Sequence, residues 1–267
     1  MNPNLPPSPL AHTAVPGSIT LVGAGPGDPE LLTIKAVRAI AAATVILVDD
    51  LVSDGVLAYA NAKARIIPVG KRGGCVSTPQ SFIEKLMLQA AREGEVVVRL
   101  KGGDPLLFGR GGEEVQSLQD AGFSVQVVNG ITSGLAAATS LGVALTHRHH
   151  ATGVLFITGH AKPGGESPNW ATLAATALQE RLTLVIYMGV KQAPQIQHGL
   201  LQGLPASTPV AIVASASLPH ERQAVCELGC LHQVLVEQQL GSPSIILVGD
   251  VLRGLSALQS GTQSLAA

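Results

Sequence analysis

Short runs of β-branched and other apolar residues alternate along the chain with alanine- and leucine-rich segments of helical length. The first five runs are residues 19–22, 45–48, 65–69, 96–100 and 125–128. Continuous apolar runs separated by helices are typical of parallel strands, because the connecting helices bury both faces of the sheet. The first part of the chain therefore predicts a parallel sheet with βαβ connections.

One helix, between the third and fourth runs, is especially well marked. Thr78 is suited to cap its N-terminus, Pro79 suits its first position, and Gly94 suits its end. Its apolar stripe comprises Phe82, Ile83, Leu86 and Met87. We predict an amphipathic helix here that packs its apolar stripe on the sheet.

A second series of apolar runs follows at residues 154–158, 184–188, 210–214 and 245–248. The two series predict an α/β protein with two lobes, an N-terminal domain at residues 18–129 and a C-terminal domain at residues 130–256. The seam falls within NGITSG (129–134), which follows the fifth strand and opens an alanine-rich helix. Residues 1–17 are predicted to be a disordered, proline-rich tail, and residues 257–267 a second tail.

Composition and charge exclude several classes of protein. Of the 267 residues 46% are hydrophobic and 13% are charged, and the net charge of -1 argues against an overall attraction to nucleic acid or an anionic membrane. The apolar stretches are shorter than the roughly 20 residues that span a bilayer. Three cysteines predict reduced thiols in the cytoplasm, and the Cys226/Cys230 pair lacks the second pair of a structural zinc site. We expect a cytoplasmic protein without a bound metal.

The loop after the first predicted strand and the end of the second are the first places to look for a ligand, since parallel sheets bind ligands beyond the carboxyl ends of their strands. The loop GAGPGDP (23–29) allows close backbone approach, but it lacks the third glycine of a dinucleotide fingerprint and the lysine of a Walker loop. Asp49 stands about where a Rossmann fold keeps its ribose-binding acid. An NAD-dependent oxidoreductase therefore stays as a rival hypothesis, and a turn cap as the structural alternative for Asp49.

The densest group of polar and glycine residues follows the fourth strand, in RLKGGDPLLFGRGGEE (99–114). Its glycines allow the backbone to approach a ligand closely. Its cations are suited to bind carboxylates, Arg110 in bidentate fashion. For Glu113 and Glu114 an equally weighted interpretation is that they are solvated charges on a flexible loop. The segment predicts a binding loop for an anionic or polar ligand.

Nine segments together give the chain a family resemblance. They are VGAGPGDPELLT (22–33), DDLVS (49–53), GKRGG (70–74), VVRLKGGDPLLFGRGGEE (97–114), GITSGLAA (130–137), LTHR (145–148), TGH (158–160), YMG (187–189) and SPSIILVGDV (242–251). In this order the chain resembles the tetrapyrrole methylase family, over about residues 18–255. GKRGG and FGRGGEE resemble the branch of that family that methylates uroporphyrinogen III.

The resemblance implies a fold and an activity. The fold is that of two α/β lobes with a cofactor cleft between them. The activity is transfer of two methyl groups from S-adenosylmethionine to uroporphyrinogen III, which gives precorrin-2 through precorrin-1 and releases S-adenosylhomocysteine. The product feeds sirohaem, cobalamin or haem d1 synthesis, and the enzyme is expected to be a homodimer without a nucleic-acid or membrane partner. A methylase of another tetrapyrrole is the alternative within the same family.

The resemblance also implies roles for individual residues. The cofactor pocket is expected to comprise Pro26, Gly102, Gly103, Asp104, Leu107, Thr132, Ser133, Met188 and Ala216. Asp49 matches the proposed proton acceptor, Lys71 the proton donor, and Arg110 a further base or a substrate-binding cation. Because the ordinary pKa of arginine exceeds about 12, we favour Arg110 as a carboxylate anchor. For Met188 the alternative is a core residue at the end of a buried strand.

A polyanionic tetrapyrrole needs local positive charge that the whole-chain balance does not reveal. The candidates for a basic rim are Lys71, Arg72, Lys101, Arg110 and Arg148. His147, His149 and His150 surround Arg148, but their spacing does not suit a shared metal-ligand face. We therefore interpret these histidines as surface or carboxylate-contacting residues.

Overall fold

Two compact units make up the residues that the computed structural model describes, which are 17–70, 78–160, 165 and 167–253. The first unit contains the described residues up to Ala24 together with Leu32–Gly130. The second contains Gly25–Leu31 and the described residues from Ile131 onward. Each unit has its own five-stranded sheet.

The sheet of the first unit is parallel throughout, as the apolar runs predicted. Its strands are β1 (Ser18–Gly23), β2 (Val45–Val48), β3 (Arg65–Pro68), β4 (Val96–Lys101) and β5 (Val125–Val128). They lie in the order β3-β2-β4-β1-β5, so β2, β4 and β1 are interior strands. The strand bounds agree with the sequence prediction to within one residue, because strands buried on both faces leave an uninterrupted apolar signal.

Helices cover both faces of this sheet. They are α1 (Ile34–Ala42), α2 (Asp54–Leu57), α3 (Gln80–Arg92) and α4 (Gly111–Asp120). Side chains of a strand alternate between faces, so Leu21 packs in the cluster that includes Met87 of α3, and its neighbour Val22 packs in the one that includes Ile40 of α1. The core of the first unit is thus split into two layers by the sheet.

Helix α3 differs from its prediction at one end and on one side. Pro79, not Thr78, occupies the N-cap, and the helix begins at Gln80. Its buried stripe runs through Ile83, Met87, Ala90 and Ala91. Phe82, which we placed in that stripe, is 52% exposed, because it lies about 100° around the helix from Ile83. Gly94 has a positive φ of 85° just beyond the helix, as expected for a C-terminal glycine.

The sheet of the second unit is mixed. Its strands are β6 (Gly153–Thr158), β7 (Leu182–Tyr187), β8 (Pro209–Ala214), β9 (Arg222–Glu227) and β10 (Ser244–Val248), in the order β6-β7-β10-β8-β9. Only β6 and β7 pair in parallel, and the other three pairs are antiparallel. The sequence did not predict β9. This edge strand exposes Arg222, Gln223 and Glu227, so it has no continuous apolar run.

Four helices and a large apolar cluster complete the second unit. The helices are α5 (Ser133–Ser140), α6 (Trp170–Gln179), α7 (Ala193–Leu200) and α8 (Leu231–Glu237). The cluster joins Trp170 of α6 and Ile196 of α7 to Ile186 of β7 and Ile246 of β10. Within the described ranges, no helix is long and apolar enough to cross a membrane.

The loop Gly25–Leu31 belongs to the second unit although it follows a strand of the first. The backbone N–H of Asp28 donates to Ser217 Oγ at 3.1 Å, and a Cβ on Gly27 would lie 2.6 Å from a methyl carbon of Leu218. We had placed this loop in the N-terminal domain. Its contacts join residues almost 190 positions apart, which local patterns do not reveal.

Three glycines pack backbone against backbone where β1, β4 and β5 end. A Cβ on Gly130 would overlap Gly103 O and lie 2.9 Å from Gly23 Cα. A Cβ on Gly23 would overlap Gly130 N and lie 2.7 Å from Gly103 O. Because the contacts are with backbone atoms, no side-chain rotation relieves them, and glycine is required at both positions.

We predict that Gly130→Ala lowers the free energy of unfolding by about 1–3 kcal/mol, because the added methyl group forces the three strand ends apart. Urea denaturation followed by circular dichroism measures the change. The matched control is Gly112→Ala, whose Cβ would meet no atom of the described residues within 4 Å and which we expect to be neutral or slightly stabilising. Equal stability of Gly130→Ala and the parent chain would contradict the close backbone approach.

Candidate active site

Four charged side chains, Asp49, Arg99, Lys101 and Glu114, meet at the carboxyl ends of β2 and β4, and we call them the charge quartet. Arg99 Nη2 donates to Asp49 Oδ1 at 2.5 Å, and Arg99 Nε donates to Glu114 Oε1 at 3.1 Å. Lys101 Nζ lies 3.0 Å from Glu114 Oε2 and 4.0 Å from Asp49 Oδ2. Two cations thus face two carboxylates, and their formal charges cancel.

Three members of the charge quartet are buried. Arg99 is 2% exposed, Lys101 3% and Glu114 0%, whereas the side chain of Asp49 keeps 30% of its surface. Buried ions are tolerated only when they are paired and hydrogen-bonded. Gln80 Nε2 accordingly donates to Glu114 Oε1 at 2.7 Å. Asp49 is therefore the member of the quartet that a ligand can reach.

The alternation of a β-strand explains why these residues meet. Arg99 and Lys101 are two positions apart in β4 and point to the face that carries α3 and α4. Arg99 pairs in register with Leu47 of β2, and Asp49, two residues beyond Leu47, returns to the same face. Glu114 comes from the first turns of α4. Strand alternation, the register of β2 on β4 and the packing of α4 together place four charges that are distant in sequence at one point.

Burial lowers the pKa of Lys101, and the neighbouring Arg99 cation lowers it further, although Glu114 and Asp49 act in the opposite direction. The sequence predicts a substrate-binding role for Lys101 and offers a solvated charge as one interpretation of Glu114. The structure instead buries both side chains against each other. Their charges are compensated in the interior of the first unit, so we revise both roles.

Asp104 ties together the loops that follow β4 and β5. Its Oδ1 accepts a hydrogen bond from Leu106 N at 2.8 Å, and its Oδ2 accepts from Asn129 Nδ2 at 3.1 Å and from Gly130 N at 3.2 Å. Leu107 N donates to Asp104 O at 3.4 Å. The four predicted cofactor-binding residues of the first unit, which are Gly102, Gly103, Asp104 and Leu107, therefore lie in one well-held loop.

Arg110 closes the same loop in a left-handed backbone conformation, with φ of 58°, at the N-cap of α4. Its Nη2 and Nε form a bidentate pair with Glu113 at 2.6 and 3.1 Å. Hydrogen bonding to Glu113 raises the pKa of Arg110 above its ordinary value. The side chain is 56% exposed and stays protonated, so it keeps its positive charge.

In the second unit, Tyr187 joins two predicted cofactor-binding segments. Its hydroxyl lies 2.7 Å from Thr132 Oγ1 and accepts a hydrogen bond from Gly134 N at 2.8 Å. The next residue, Met188, has φ of 54° and is 48% exposed, so the alternative interpretation as a core residue is wrong. Ser133 is the first residue of α5. Thr132, Ser133 and Met188 are therefore held close together through Tyr187.

The loops that carry Pro26 and Ala216 are joined in the same unit by a different contact. The loop that carries Pro26 is bound to Ser217 Oγ through the backbone N–H of Asp28. Ala216 is 6% exposed and lies between Ser215 and Ser217, whose φ angles of 53° and 70° are left-handed. These two serines and Met188 thus hold unfavourable backbone conformations in the two loops that follow β7 and β8.

The remaining predicted cations are not brought together with the charge quartet by any described contact. Lys71 and Arg72 lie outside the described residues. Arg148 is exposed and lines a surface pocket of about 420 Å³ in the second unit, together with Thr146, His147, Ala151 and Thr152. The basic rim therefore stays a prediction.

The histidine cluster is a surface feature. The rings of His147 and His150 are 4.6 Å apart between centroids, and His147 Nδ1 accepts from His149 N at 3.2 Å. All three histidines are exposed. Across the described residues, no group of three or more His, Cys, Asp or Glu side chains is placed to hold a metal ion.

Three residues that organise these surfaces are not predicted in that role from the sequence, namely Arg99, Glu114 as a buried partner, and Tyr187. A signal for Arg99 was present, because an arginine inside an apolar central strand must find a partner. The identity of that partner was not readable, since Glu114 lies in a helix whose packing the sequence does not fix. Tyr187 was part of a matched motif but had no assigned role.

The chain has a clear family relationship. Residues 18–231 match the family model described as Tetrapyrrole (Corrin/Porphyrin) Methylases. The chain belongs to the tetrapyrrole methylase family. A uroporphyrinogen-III C-methyltransferase of Pseudomonas aeruginosa is 48% identical over 241 residues, which cover 90% of this chain and 96% of that protein.

Two further relatives of this tetrapyrrole methylase are informative. Siroheme synthase 2 of Yersinia enterocolitica is 47% identical over 237 residues, and the chain spans about half of its length, 49%. A crystal structure of uroporphyrin-III C-methyl transferase from Thermus thermophilus, complexed with S-adenyl homocysteine, is 41% identical with a TM-score of 0.74. The match covers 89% of this chain and 99% of that chain. The expected fold class, two α/β sheets of the tetrapyrrole methylase fold, is confirmed.

We predict that Tyr187→Phe lowers the free energy of unfolding by about 1–3 kcal/mol, because the buried N–H of Gly134 loses its acceptor. Burial raises the pKa of Tyr187, so its stabilising effect is present below the ordinary value of 10.0 and is lost as the pH rises through the higher folded-state pKa. Urea denaturation at neutral pH and above pH 10.0 measures both effects.

The matched control for this prediction is Tyr59→Phe, since Tyr59 is 40% exposed. We expect it to leave the free energy of unfolding within about 0.5 kcal/mol of the parent chain. If both substitutions cost the same, the hydrogen bonds of Tyr187 do not hold α5 in place.

Proposed function

We propose that this chain is an S-adenosylmethionine-dependent C-methyltransferase that adds two methyl groups to uroporphyrinogen III and gives precorrin-2 through precorrin-1. The observation that carries the proposal is the 48% identity to a uroporphyrinogen-III C-methyltransferase over 90% of this chain and 96% of that protein. The match to a siroheme synthase supports the use of the product in sirohaem synthesis. Cobalamin and haem d1 synthesis are the other routes that consume such a product.

We assign binding of the methyl donor, S-adenosylmethionine, to the predicted cofactor-binding residues of both units. In the first unit we assign Gly102, Gly103, Asp104 and Leu107, and in the second Pro26, Thr132, Ser133, Met188 and Ala216. The residues present fit such a ligand: Asp104 Oδ1 has one described donor, Leu106 N, so its second acceptor position can take a hydroxyl or amino group. The thioether of Met188 is half exposed and suited to pack on an aromatic ring. S-adenosylmethionine supplies an electrophilic methyl group.

Methylation at a pyrrole carbon needs a proton acceptor. A carbon–carbon bond forms as the sulfur–methyl bond breaks, the bonding electrons pass to sulfur, and the alkylated ring system then loses a proton. Asp49 is the accessible carboxylate of the charge quartet and is assigned to accept that proton, a role that contributes about 10²–10⁴-fold to the rate. Lys71, outside the described residues, keeps its proposed role as proton donor.

Binding of the acetate and propionate groups is assigned to cations outside the charge quartet. Arg110 presents a planar fork that suits a carboxylate, and its pairing with Glu113 keeps that fork oriented until substrate arrives. Arg72 and Arg148 are proposed as further substrate contacts. Lys101 is removed from this set because it is buried.

A homodimer in the cytoplasm completes the proposal. The family resemblance supports the dimer, and light scattering of the purified protein measures it. The cytoplasmic location is supported by the small number of cysteines, of which Cys226 and Cys230 are both free. Burial raises the pKa of Cys226 to about 11, so this sulfur stays protonated.

The proposed activity is tested by incubating the purified protein anaerobically with uroporphyrinogen III and S-adenosylmethionine. Mass spectrometry of the oxidised tetrapyrroles is expected to find a gain of two methyl groups, with two S-adenosylhomocysteine molecules formed per product. Methyl gain on another tetrapyrrole of a panel would shift the assignment to that substrate. Saturable binding of NADH without binding of S-adenosylhomocysteine would favour the oxidoreductase and overturn the proposal.

We predict that Asp49→Asn lowers kcat by about 10²–10⁴-fold while the affinity for S-adenosylhomocysteine stays unchanged, because an amide cannot accept the proton. Single-turnover kinetics and calorimetry measure the two quantities. Asp54→Asn, an exposed position in the first turn of α2, is the control and is expected to keep full turnover. Normal turnover of Asp49→Asn would remove Asp49 from the chemistry.

We predict that Arg110→Lys raises KM for uroporphyrinogen III about tenfold at unchanged cofactor affinity, since a point charge replaces a bidentate fork. Initial-rate kinetics measure the change. Arg253→Lys is a matched control, because Arg253 forms an exposed i,i+3 pair with Asp250 at 2.8 Å, as Arg110 does with Glu113. An unaltered KM for Arg110→Lys would place this side chain outside the substrate site.

A further inference from the structure

The burial of Arg99 is not explained by stability. Buried ion pairs contribute little net stability, and apolar side chains of similar volume often replace them without loss. Position 99 lies in β4, an interior strand whose neighbours in sequence, Val98 and Leu100, are fully buried apolar residues. An arginine here needs a reason other than packing.

The contacts of Arg99 fix its guanidinium in one orientation. Nη2 donates to Asp49 Oδ1 at 2.5 Å and Nε donates to Glu114 Oε1 at 3.1 Å. Nη1 approaches two backbone carbonyl oxygens, Leu47 O at 3.4 Å and Leu100 O at 3.3 Å. All three nitrogens therefore have acceptors, and a planar group held at every nitrogen cannot rotate without breaking several hydrogen bonds.

Glu114 holds Arg99 from the side opposite to Asp49. Its Oε1 accepts from both Arg99 Nε and Gln80 Nε2, so α3 and α4 are both connected to the guanidinium. Its Oε2 faces the Lys101 ammonium at 3.0 Å. Lys101 Nζ stays 4.0 Å from Asp49 Oδ2, whereas Arg99 Nη2 is 2.5 Å from Asp49 Oδ1, so Arg99 is the cation that binds the carboxylate of Asp49.

The two oxygens of Asp49 are consequently unequal. Oδ1 accepts a short, charge-assisted hydrogen bond from a buried donor. Oδ2 lies 4.0 Å from Lys101 Nζ, which is beyond hydrogen-bond distance. The side chain is 30% exposed. Oδ2 is therefore the oxygen better placed to receive a proton.

We propose that Arg99 is a positioning residue for the methyl transfer: held by Glu114, it binds Asp49 Oδ1 and so turns Oδ2 toward the substrate as the proton acceptor. The proposal rests on the proposed function, in which Asp49 accepts the proton. Arg99 itself touches neither the substrate nor the reacting atoms.

A double-mutant cycle tests this role through kcat. Arg99→Lys keeps the charge but loses the fork, and we expect kcat to fall about tenfold while KM for S-adenosylmethionine changes less than about twofold. If Arg99 acts through Asp49, the double variant Arg99→Lys/Asp49→Asn turns over no more slowly than Asp49→Asn alone. Losses that multiply would show independent roles and overturn the proposal.

A second variant, which removes one positive and one negative charge together, tests the role of Arg99 without leaving an unpaired buried charge that could unfold the protein. Arg99→Met combined with Glu114→Gln removes one charge of each sign and leaves Asp49 with Lys101. We expect this variant to bind S-adenosylhomocysteine as the parent does, yet to turn over about as slowly as Asp49→Asn. Parent-like turnover would show that Arg99 is structural only. Arg65→Lys, which alters an exposed cation facing Glu93 and Glu95, is the matched control and is expected to be silent.

Orientation is also measurable without turnover. Crystal structures of the parent and of Arg99→Lys are expected to differ in the rotation of the Asp49 carboxylate, and an unrotated carboxylate would overturn the proposal. The two proposals therefore fail separately. A parent protein that does not methylate uroporphyrinogen III contradicts the proposed function, whereas unchanged Asp49 geometry contradicts the role of Arg99 alone.

Discussion

The charge quartet of Asp49, Arg99, Lys101 and Glu114 is the interaction on which the first unit's candidate site depends. Two cations and two carboxylates cancel in an interior where any one of them alone would be strongly unfavourable. Only Asp49 keeps an accessible side chain. The quartet thus leaves one accessible carboxylate, that of Asp49, which Arg99 of the central strand β4 holds at the strand end. Strand ends are where α/β sheets bind their ligands.

The loops around that carboxylate are held by equally tight constraints. Gly23, Gly103 and Gly130 bring three strand ends into backbone contact, and Asp104 binds the loops after β4 and β5 to each other. Side chains are excluded from the glycine contacts, so the three strand ends are fixed in position relative to one another.

In the second unit the loops that carry predicted cofactor-binding residues are also held in place, here by hydrogen bonds to side-chain hydroxyl groups. Tyr187 joins the start of α5 to the loop after β7, and Ser217 joins the loop after β8 to Gly25–Leu31. Left-handed φ angles at Met188, Ser215 and Ser217 are unfavourable for these residues and persist because such contacts enforce them. Asp49 in the first unit and Thr132 in the second are thus held by buried partners, Arg99 and Tyr187, whose roles the resemblance did not identify.

The sequence by itself determined the parallel sheet of the first unit, the two-lobed α/β class and the loops that carry the candidate site, because continuous apolar runs and glycine clusters are local signals. It did not predict the edge strand β9, because a half-exposed strand gives only a weak pattern of apolar residues. Nor did it predict that Gly25–Leu31 belongs to the second unit. Only the tertiary structure decided that Glu114 and Lys101 are buried partners while Arg110 stays exposed. Charged residues look alike along a chain, and packing alone settles which of them lose contact with water.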